Sequence, residues 1–350
     1  MRILGLESSC DETAAAVVED GAAILSNVVA SQYDLHRPFG GVVPEVAARA
    51  HAERVTAIID EAMTRANCTA REIDAISVVN RPGLVGALLV GIAAGKGLAI
   101  AWNKPLVGID HIWGHVYASV LAGFSVFPHL SLIVSGGHTS LYRVDSPLAI
   151  RVLGQTADDA AGEAFDKVAK MLELGFPGGP ALARLAGTAA PSERGMFLGV
   201  SAKAISGMSE EERKSLDFSF SGLKTAVYYY LRGTTVGRGP LRTLEPQERA
   251  AVAASFQEAV CEQLVRKTLM AADQTGIRNI AVGGGVACNA RLRELFATRA
   301  AQAGATVFFP PPELCTDNAA MSAGLAYHRL VKGESDGLDV DADPTPKRAS

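Results

Sequence analysis

The chain has 350 residues, of which 48% are hydrophobic and 20% charged, and its formal net charge is −4. That length can bury a large core and fits about two domains, while the acidic balance argues against a surface that binds nucleic acid non-specifically. The five cysteines are odd in number, scattered and without a C-x-x-C pair, which argues against a disulfide framework or a cysteine-based zinc site and for a reducing, cytoplasmic setting.

Residues 2–7 (RILGLE) and 13–18 (TAAAVV) read as two strands joined by the polar turn SSCDE, too polar a start for a signal peptide. Helical spacing of apolar residues follows from Pro44 to Arg65, then a strand from Ile73 to Val79. Pro82-Gly83 leads into the most apolar stretch, Leu84 to Trp102. It carries Lys96 and four glycines, so it reads as a buried core helix rather than a membrane span. Leu106–Ile109 is a strand, and a helix with His111 and His115 comes next.

A second cycle starts at His129–Val134, turns at Ser135-Gly136-Gly137 and returns from His138 to Val144. Helices are expected over 159–173, 180–187 and 247–272, a strand over Arg278–Val282, a turn at Gly283-Gly284-Gly285 and a helix from Val286 to Ala303. Thr306–Phe309 is the last strand and 317–331 the last helix. Both halves open on a hairpin and then alternate strands with helices, which predicts a duplicated α/β architecture of two lobes with a ligand cleft between them. The first lobe is assigned residues 1–128 with 318–331, and the second 129–317. Residues 332–350, poor in apolar side chains, read as a disordered tail. Arg194 to Arg249 carries a slight excess of basic over acidic residues, a weak sign of a local basic patch.

His111 and His115 lie four apart on one helical face, where both imidazoles can reach one metal ion. An ordinary buried pair beside Trp113 would show the same spacing. Ile112 stands where an H-E-x-x-H protease carries its general base. Asp317 is the candidate third ligand, although Thr316 or Asp317 serving merely as helix cap is the commoner role for residues placed there. Two glycine loops, VSGGHTS (134–140) and VGGGVACN (282–289), follow strands and can present backbone N–H groups to a phosphate, the second with a helix dipole behind it. Neither is a P-loop or a G-x-G-x-x-G turn. Asp159, Glu163 and Asp166 form an acidic stripe that either recognises ribose or metal, or is solvated and offset by Lys167 and Lys170.

Seven segments together carry a resemblance: KGLAIAWNKPLVGIDHIWGHV (96–116), LIVSGGHTSL (132–141), DDAAGEAFDKVAK (158–170), FPGGPAL (176–182), FSFSGLKTAV (218–227), VGGGVACNARLRE (282–294) and CTDNAAMSAGL (315–325). In this order they resemble the signature segments of the TsaD/Gcp family over nearly the whole chain to residue 331. The resemblance implies an actin-like ATPase (ASKHA) fold with duplicated RNase H-like subdomains. It also implies transfer of the threonylcarbamoyl group of threonylcarbamoyl-AMP to N6 of the adenosine 3′ of the anticodon, in tRNAs reading codons that begin with A. His111, His115 and Asp317 match the family's metal ligands, implying one divalent metal per chain, Fe2+ with Zn2+ as the alternative. Val134, Ser135, Gly136, Gly137 and His138 match its substrate loop, and Asp166, Gly179 and Asn289 its other substrate contacts. The implied partners are tRNA, a TsaB-like paralogue, a TsaE-like ATPase and, functionally, a TsaC-like synthase. Two positions depart from the pattern: Arg81 where the family usually has glycine, and Ala183 where it often has an acidic residue.

Threonylcarbamoyl-AMP is an activated mixed anhydride, so the chemistry asked of the enzyme is positioning and charge stabilisation. The sequence assigns no general base: His138 is a candidate within reach of the loop, and late loss of the amine proton to the phosphate itself is the alternative. Competing readings are a metalloprotease, an ATP-driven chaperone or kinase of the same fold, and a non-catalytic scaffold.

Overall fold

The computed structural model describes residues 1–200, 214–233 and 241–345. Parts of the 194–249 stretch and the end of the expected tail lie outside them. The chain divides into two compact units: Met1–Phe127 with Val144–Arg151 and the chain from Phe308, and Pro128–Arg143 with Val152–Val307. Phe308 to Asp317, assigned to the second lobe from sequence, therefore belongs with the first unit.

The sheet of the first unit holds β1 (Arg2–Glu7), β2 (Glu12–Glu19), β3 (Ala23–Ser31), β4 (Ala75–Arg81) and β5 (Leu106–Asp110), in the order β3-β2-β1-β4-β5. β1 pairs antiparallel with β2 and parallel with β4, and β4 runs parallel to β5. Alternate residues of the central strands enter opposite cores, as a period of two requires. Leu4, Leu6, Ala15, Val17, Ile76 and Val78 pack toward the helices Pro44–Arg65 and Val85–Trp102. Ile3, Ala14, Ala16, Val18 and Ala75 pack toward the helices His111–Leu121 and Ala320–Val331. The sheet thus carries the histidine helix on one side and fixes its start at the end of β5.

Two expectations need correction here. The Val85–Trp102 helix is not buried all round. Ala87, Leu88, Gly91, Ile92, Gly95 and Ala99 face the sheet, but Val85 (46%), Leu89 (45%) and Ile100 (66%) are exposed. Among the described residues it is the one helix long and apolar enough, by length and composition, to cross a membrane. The expected disordered tail is in place as far as Thr345. Asp336 donates its N–H to Leu106 O at 2.8 Å, and its carboxylate accepts from Gly108 N (2.7 Å) and Arg329 Nη1 (2.8 Å). Further on, Asp343 N donates to Asn80 O (2.9 Å), Arg81 pairs with Asp343 (3.4 Å), and Val340 and Ala342 join the core. Composition misjudged this segment because most of its order comes from polar contacts with β4 and the open edge of β5, to which Val340 and Ala342 add the apolar part.

The second sheet, which belongs to the second unit apart from Val144–Arg151 and Phe308, holds β6 (His129–Val134), β7 (Thr139–Ser146), β8 (Ala149–Gln155), β9 (Asn279–Gly283) and β10 (Thr306–Phe308), ordered β10-β9-β6-β7-β8. β6 and β9 are parallel, with Ile133 opposite Gly283. Both glycine loops therefore leave the same end of the sheet from neighbouring strands. The helices Ala161–Met171, Gly178–Ala186, Ser221–Arg232, Pro246–Thr275 and Ala290–Gln302 complete the unit.

Candidate functional site

In the first unit, β5 runs straight into the His111–Leu121 helix. Asp110 makes the turn by capping, its Oδ1 accepting from Ile112 N (2.9 Å) and Trp113 N (3.1 Å). One helical turn then separates His111 from His115, and their rings meet edge-on with centroids 4.6 Å apart. Both are buried, at 5% and 1% exposure. Asp317 arrives from the segment before the last helix, and it does not cap that helix: Asn318 Oδ1 accepts from Met321 N at 3.1 Å. Asp317 Oδ1 instead lies 3.0 Å from His115 Nε2 and 3.6 Å from His111 Nε2.

Two imidazole nitrogens and one carboxylate oxygen thus lie within 4.8 Å of one another. Bonds of 2.0–2.1 Å at a tetrahedral centre separate neighbouring donor atoms by about 3.4 Å, so a small divalent ion fits with little movement. The surrounding charge favours a cation as well. Burial first, then the charges of Asp317 and Asp11, hold Glu12 well above the usual carboxylate range. Burial alone lowers His111, but the nearby charges of Glu7 and Asp317 and a hydrogen bond to Glu7 outweigh it and raise the ring to about 9.

Glu7 was not singled out from sequence. It ends β1 and is 1% exposed, and its Oε2 lies 2.8 Å from His111 Nδ1 while Oε1 accepts from Ser9 N at 2.6 Å. Ser9 Oγ is 3.2 Å from the same ring nitrogen. A carboxylate directly after the apolar run Ile3–Leu6 was the available signal.

In the second unit, the SGGH loop closes on itself. Ser135 N donates to His138 O (2.8 Å), and His138 N to Ser135 Oγ (3.2 Å). The other loop touches it directly. Gly284 has φ +85°, and a Cβ there would sit 2.4 Å from Val134 O, so glycine is a structural requirement at that position. Gly136, Gly137 and Gly285 are different: a Cβ on any of them meets no atom within 4 Å. Their bareness leaves backbone open on one side, which suits close approach of a ligand.

Asp166 and Gly179 are brought together, since Asp166 Oδ1 accepts from Gly179 N at 3.0 Å. The helix bearing Asp166 presses on the first loop, where a Cβ on Gly162 would meet Ser135 O at 2.5 Å. Asn289 is placed as a cap, its Oδ1 accepting from Arg291 N (2.9 Å) and Leu292 N (3.1 Å), its Nδ2 donating to Gln257 (2.8 Å). This corrects the expected helix from Val286. A 3-10 turn fills Gly285–Cys288 and the helix starts at Ala290, so its first N–H groups meet Asn289 and not a phosphate.

The acidic residues do not form one stripe. Asp159 precedes the helix and pairs with Lys167 (2.7 Å) and Lys224 (2.6 Å), and Glu163 pairs with Lys167 (2.8 Å). Lys167 fills the offsetting role expected of it, and Lys224, from the unforeseen Ser221–Arg232 helix, joins it. Asp158, also missed, anchors that helix through Ser219, Phe220 and Ser221.

A profile of the family "TsaD: tRNA N6-adenosine threonylcarbamoyltransferase" matches residues 23–324. The chain belongs to the TsaD family. Proteins described as tRNA N6-adenosine threonylcarbamoyltransferase share 50% identity with this TsaD-family chain in Anaeromyxobacter dehalogenans (strain 2CP-C), over 98% of both chains. In Syntrophotalea carbinolica the identity is again 50%, over 98% of this chain and 95% of the other. Among solved structures, HypF of T. kodakarensis superposes with a TM-score of 0.61 at 14% identity, over 95% of this chain and 48% of that one. Component A of the Acidaminococcus fermentans (R)-2-hydroxyglutaryl-CoA dehydratase gives 0.55 at 14%, over 95% and 99%. At such identities the likeness speaks for the fold alone, and that fold is the actin-like one expected for the TsaD family.

Proposed function

We infer that this chain is a tRNA N6-adenosine threonylcarbamoyltransferase. Its substrates are tRNA and threonylcarbamoyl-AMP, and the accepting adenosine is the one 3′ of the anticodon in tRNAs reading codons that begin with A. The adenosine N6 attacks the carbamoyl carbon, the bond from that carbon to the phosphate oxygen breaks, and AMP leaves with the electron pair while N6 gives up a proton. The convergence of His111, His115 and Asp317 in a chain of this family is the observation that carries the reading.

The three residues hold one divalent metal, Fe2+ or Zn2+. When bound, the metal supplies Lewis-acid polarisation of a carbonyl or phosphate oxygen. Val134 to His138 receive the adenylate on open backbone, with Asp166, Gly179 and Asn289 as further contacts. The bare faces of Gly136 and Gly137 and the packing of the Asp166 helix on their loop support this. His138 stands as the candidate base. A protease reading finds no base beside His111, because Ile112 is buried in the core.

A TsaB-like paralogue, a TsaE-like ATPase and a TsaC-like synthase complete the pathway. The cytoplasm is the setting, supported by cysteines that are odd in number, scattered along the chain and without a C-x-x-C pair. The test is single-turnover transfer: purified chain with its partner proteins, threonylcarbamoyl-AMP and an A-decoding tRNA, read as modified nucleoside by mass and as AMP released. Absence of modified nucleoside with all partners supplied would overturn the assignment.

A further inference from the structure

We propose that Glu7 is a positioning residue for the metal: its carboxylate fixes the His111 proton on Nδ1 and so leaves Nε2 as a lone-pair donor facing Asp317 and His115. The inference rests on the metal reading above and deepens it.

The two carboxylate oxygens of Glu7 have separate partners. Oε1 accepts the Ser9 N–H at 2.6 Å, and Oε2 meets His111 Nδ1 at 2.8 Å. An ionised carboxylate only accepts, so the proton between Oε2 and the ring belongs to Nδ1. The neutral ring then has one free lone pair, on Nε2, the atom that lies 3.6 Å from Asp317 Oδ1. A carboxylate behind a ligating histidine sets both tautomer and ring plane, and loss of such a partner weakens metal binding by about 10–100-fold. Burying a carboxylate at 1% exposure is costly without partners of this kind. His115 lacks the device: its Nδ1 is buried with no hydrogen-bond partner among the described residues. Only one ring of the pair is therefore preset before metal arrives.

Glu7→Gln keeps the shape and removes half of the acceptor set. With its oxygen kept on the Ser9 N–H, the new NH2 faces His111 Nδ1 and demands an acceptor there, which drives the ring proton to Nε2. With the amide flipped, NH2 opposes the Ser9 N–H at hydrogen-bond distance. The wrong tautomer follows from the first arrangement, and the second is repelled.

The experiment uses the full chain, metal-free, with imidazole nitrogens labelled, in a pH series carried up until the nitrogen shifts themselves report a neutral His111 ring. Nitrogen chemical shifts report the tautomer, and chelator-buffered Zn2+ titration at the final pH of the series reports affinity. The expected result is Nδ1–H at His111 in the wild type, Nε2–H in Glu7→Gln, and Zn2+ bound about 10–100-fold more weakly by the variant with its melting curve nearly unchanged. Unchanged tautomer with Zn2+ affinity within about twofold overturns the proposal. Should the variant fail to fold, the wild type alone decides, because Nε2–H at its His111 overturns it. A wild type that binds no Zn2+ refutes the metal reading, while the tautomer comparison still judges Glu7.

Discussion

Stripping the metal should make this protein sensitive to pH, with His111 setting the window. In the metal-free fold the ring sits at about 9, against an ordinary 6.5, because Glu7 and Asp317 outweigh the lowering effect of burial. A folded-state value above the unfolded one means that the folded chain holds the extra proton. The stabilisation is complete below pH 6.5 and is lost as pH rises through about 9. At about 1.4 kcal/mol per pKa unit the contribution is about 3 kcal/mol, so the metal-free melting temperature should fall by several degrees across that range. Binding must also expel the proton, since a ligating imidazole is neutral. Apparent affinity should therefore drop about tenfold per pH unit below 9, or about a hundredfold at pH 7. Calorimetric Zn2+ titration in buffers of different ionisation enthalpy counts the proton directly. About one proton released per metal at pH 7, falling away above 9, is the expected result. No release at pH 7, together with a melting temperature flat between 6.5 and 9, would refute the electrostatic account of the triad.

His111→Ala, His115→Ala and Asp317→Ala should each lose bound metal and single-turnover transfer while remaining folded, since the site lies at one end of a large core; metal analysis and circular dichroism check both halves. Gly284→Ala should cost about 1–3 kcal/mol in denaturant unfolding, from left-handed strain and the clash with Val134 O. Gly136→Ala should leave stability within about 0.5 kcal/mol and yet raise the KM for threonylcarbamoyl-AMP, because only a ligand occupies the space its methyl takes. Asp166→Ala should retain metal, lose about 1 kcal/mol with the cap on Gly179, and bind the adenylate more weakly in equilibrium dialysis. Asp336→Ala should destabilise the first unit by about 2 kcal/mol in urea titration, since it severs the bonds to Gly108 and Arg329 together.

Local pattern was enough for much of the chain. The Pro44–Arg65 helix, the β1–β2 hairpin, the SGGH and GGG turns and the four-residue histidine spacing all follow from period, punctuation and residue type over a few positions, and the seven segments pointed to the family. Elements whose cue was weak or discounted were lost. β3 follows Asp20-Gly21, where positive φ at both residues makes a tight hairpin turn, and the Ser221–Arg232 helix showed only Leu223, Val227 and Leu231 at helical spacing. What tertiary structure alone decided depends on contacts between residues far apart in sequence. Whether Asp317 caps a helix or faces the histidines turns on a 3.0 Å approach across 202 positions. Glu7 gains meaning only from His111, 104 positions away, and the segment after Val331 is ordered mostly by contacts with β4 and the open edge of β5. Composition and period describe a residue and its near neighbours. A ligand set, a proton's place on a ring and the docking of a polar strap are properties of pairs, and folding is what brings the pairs together.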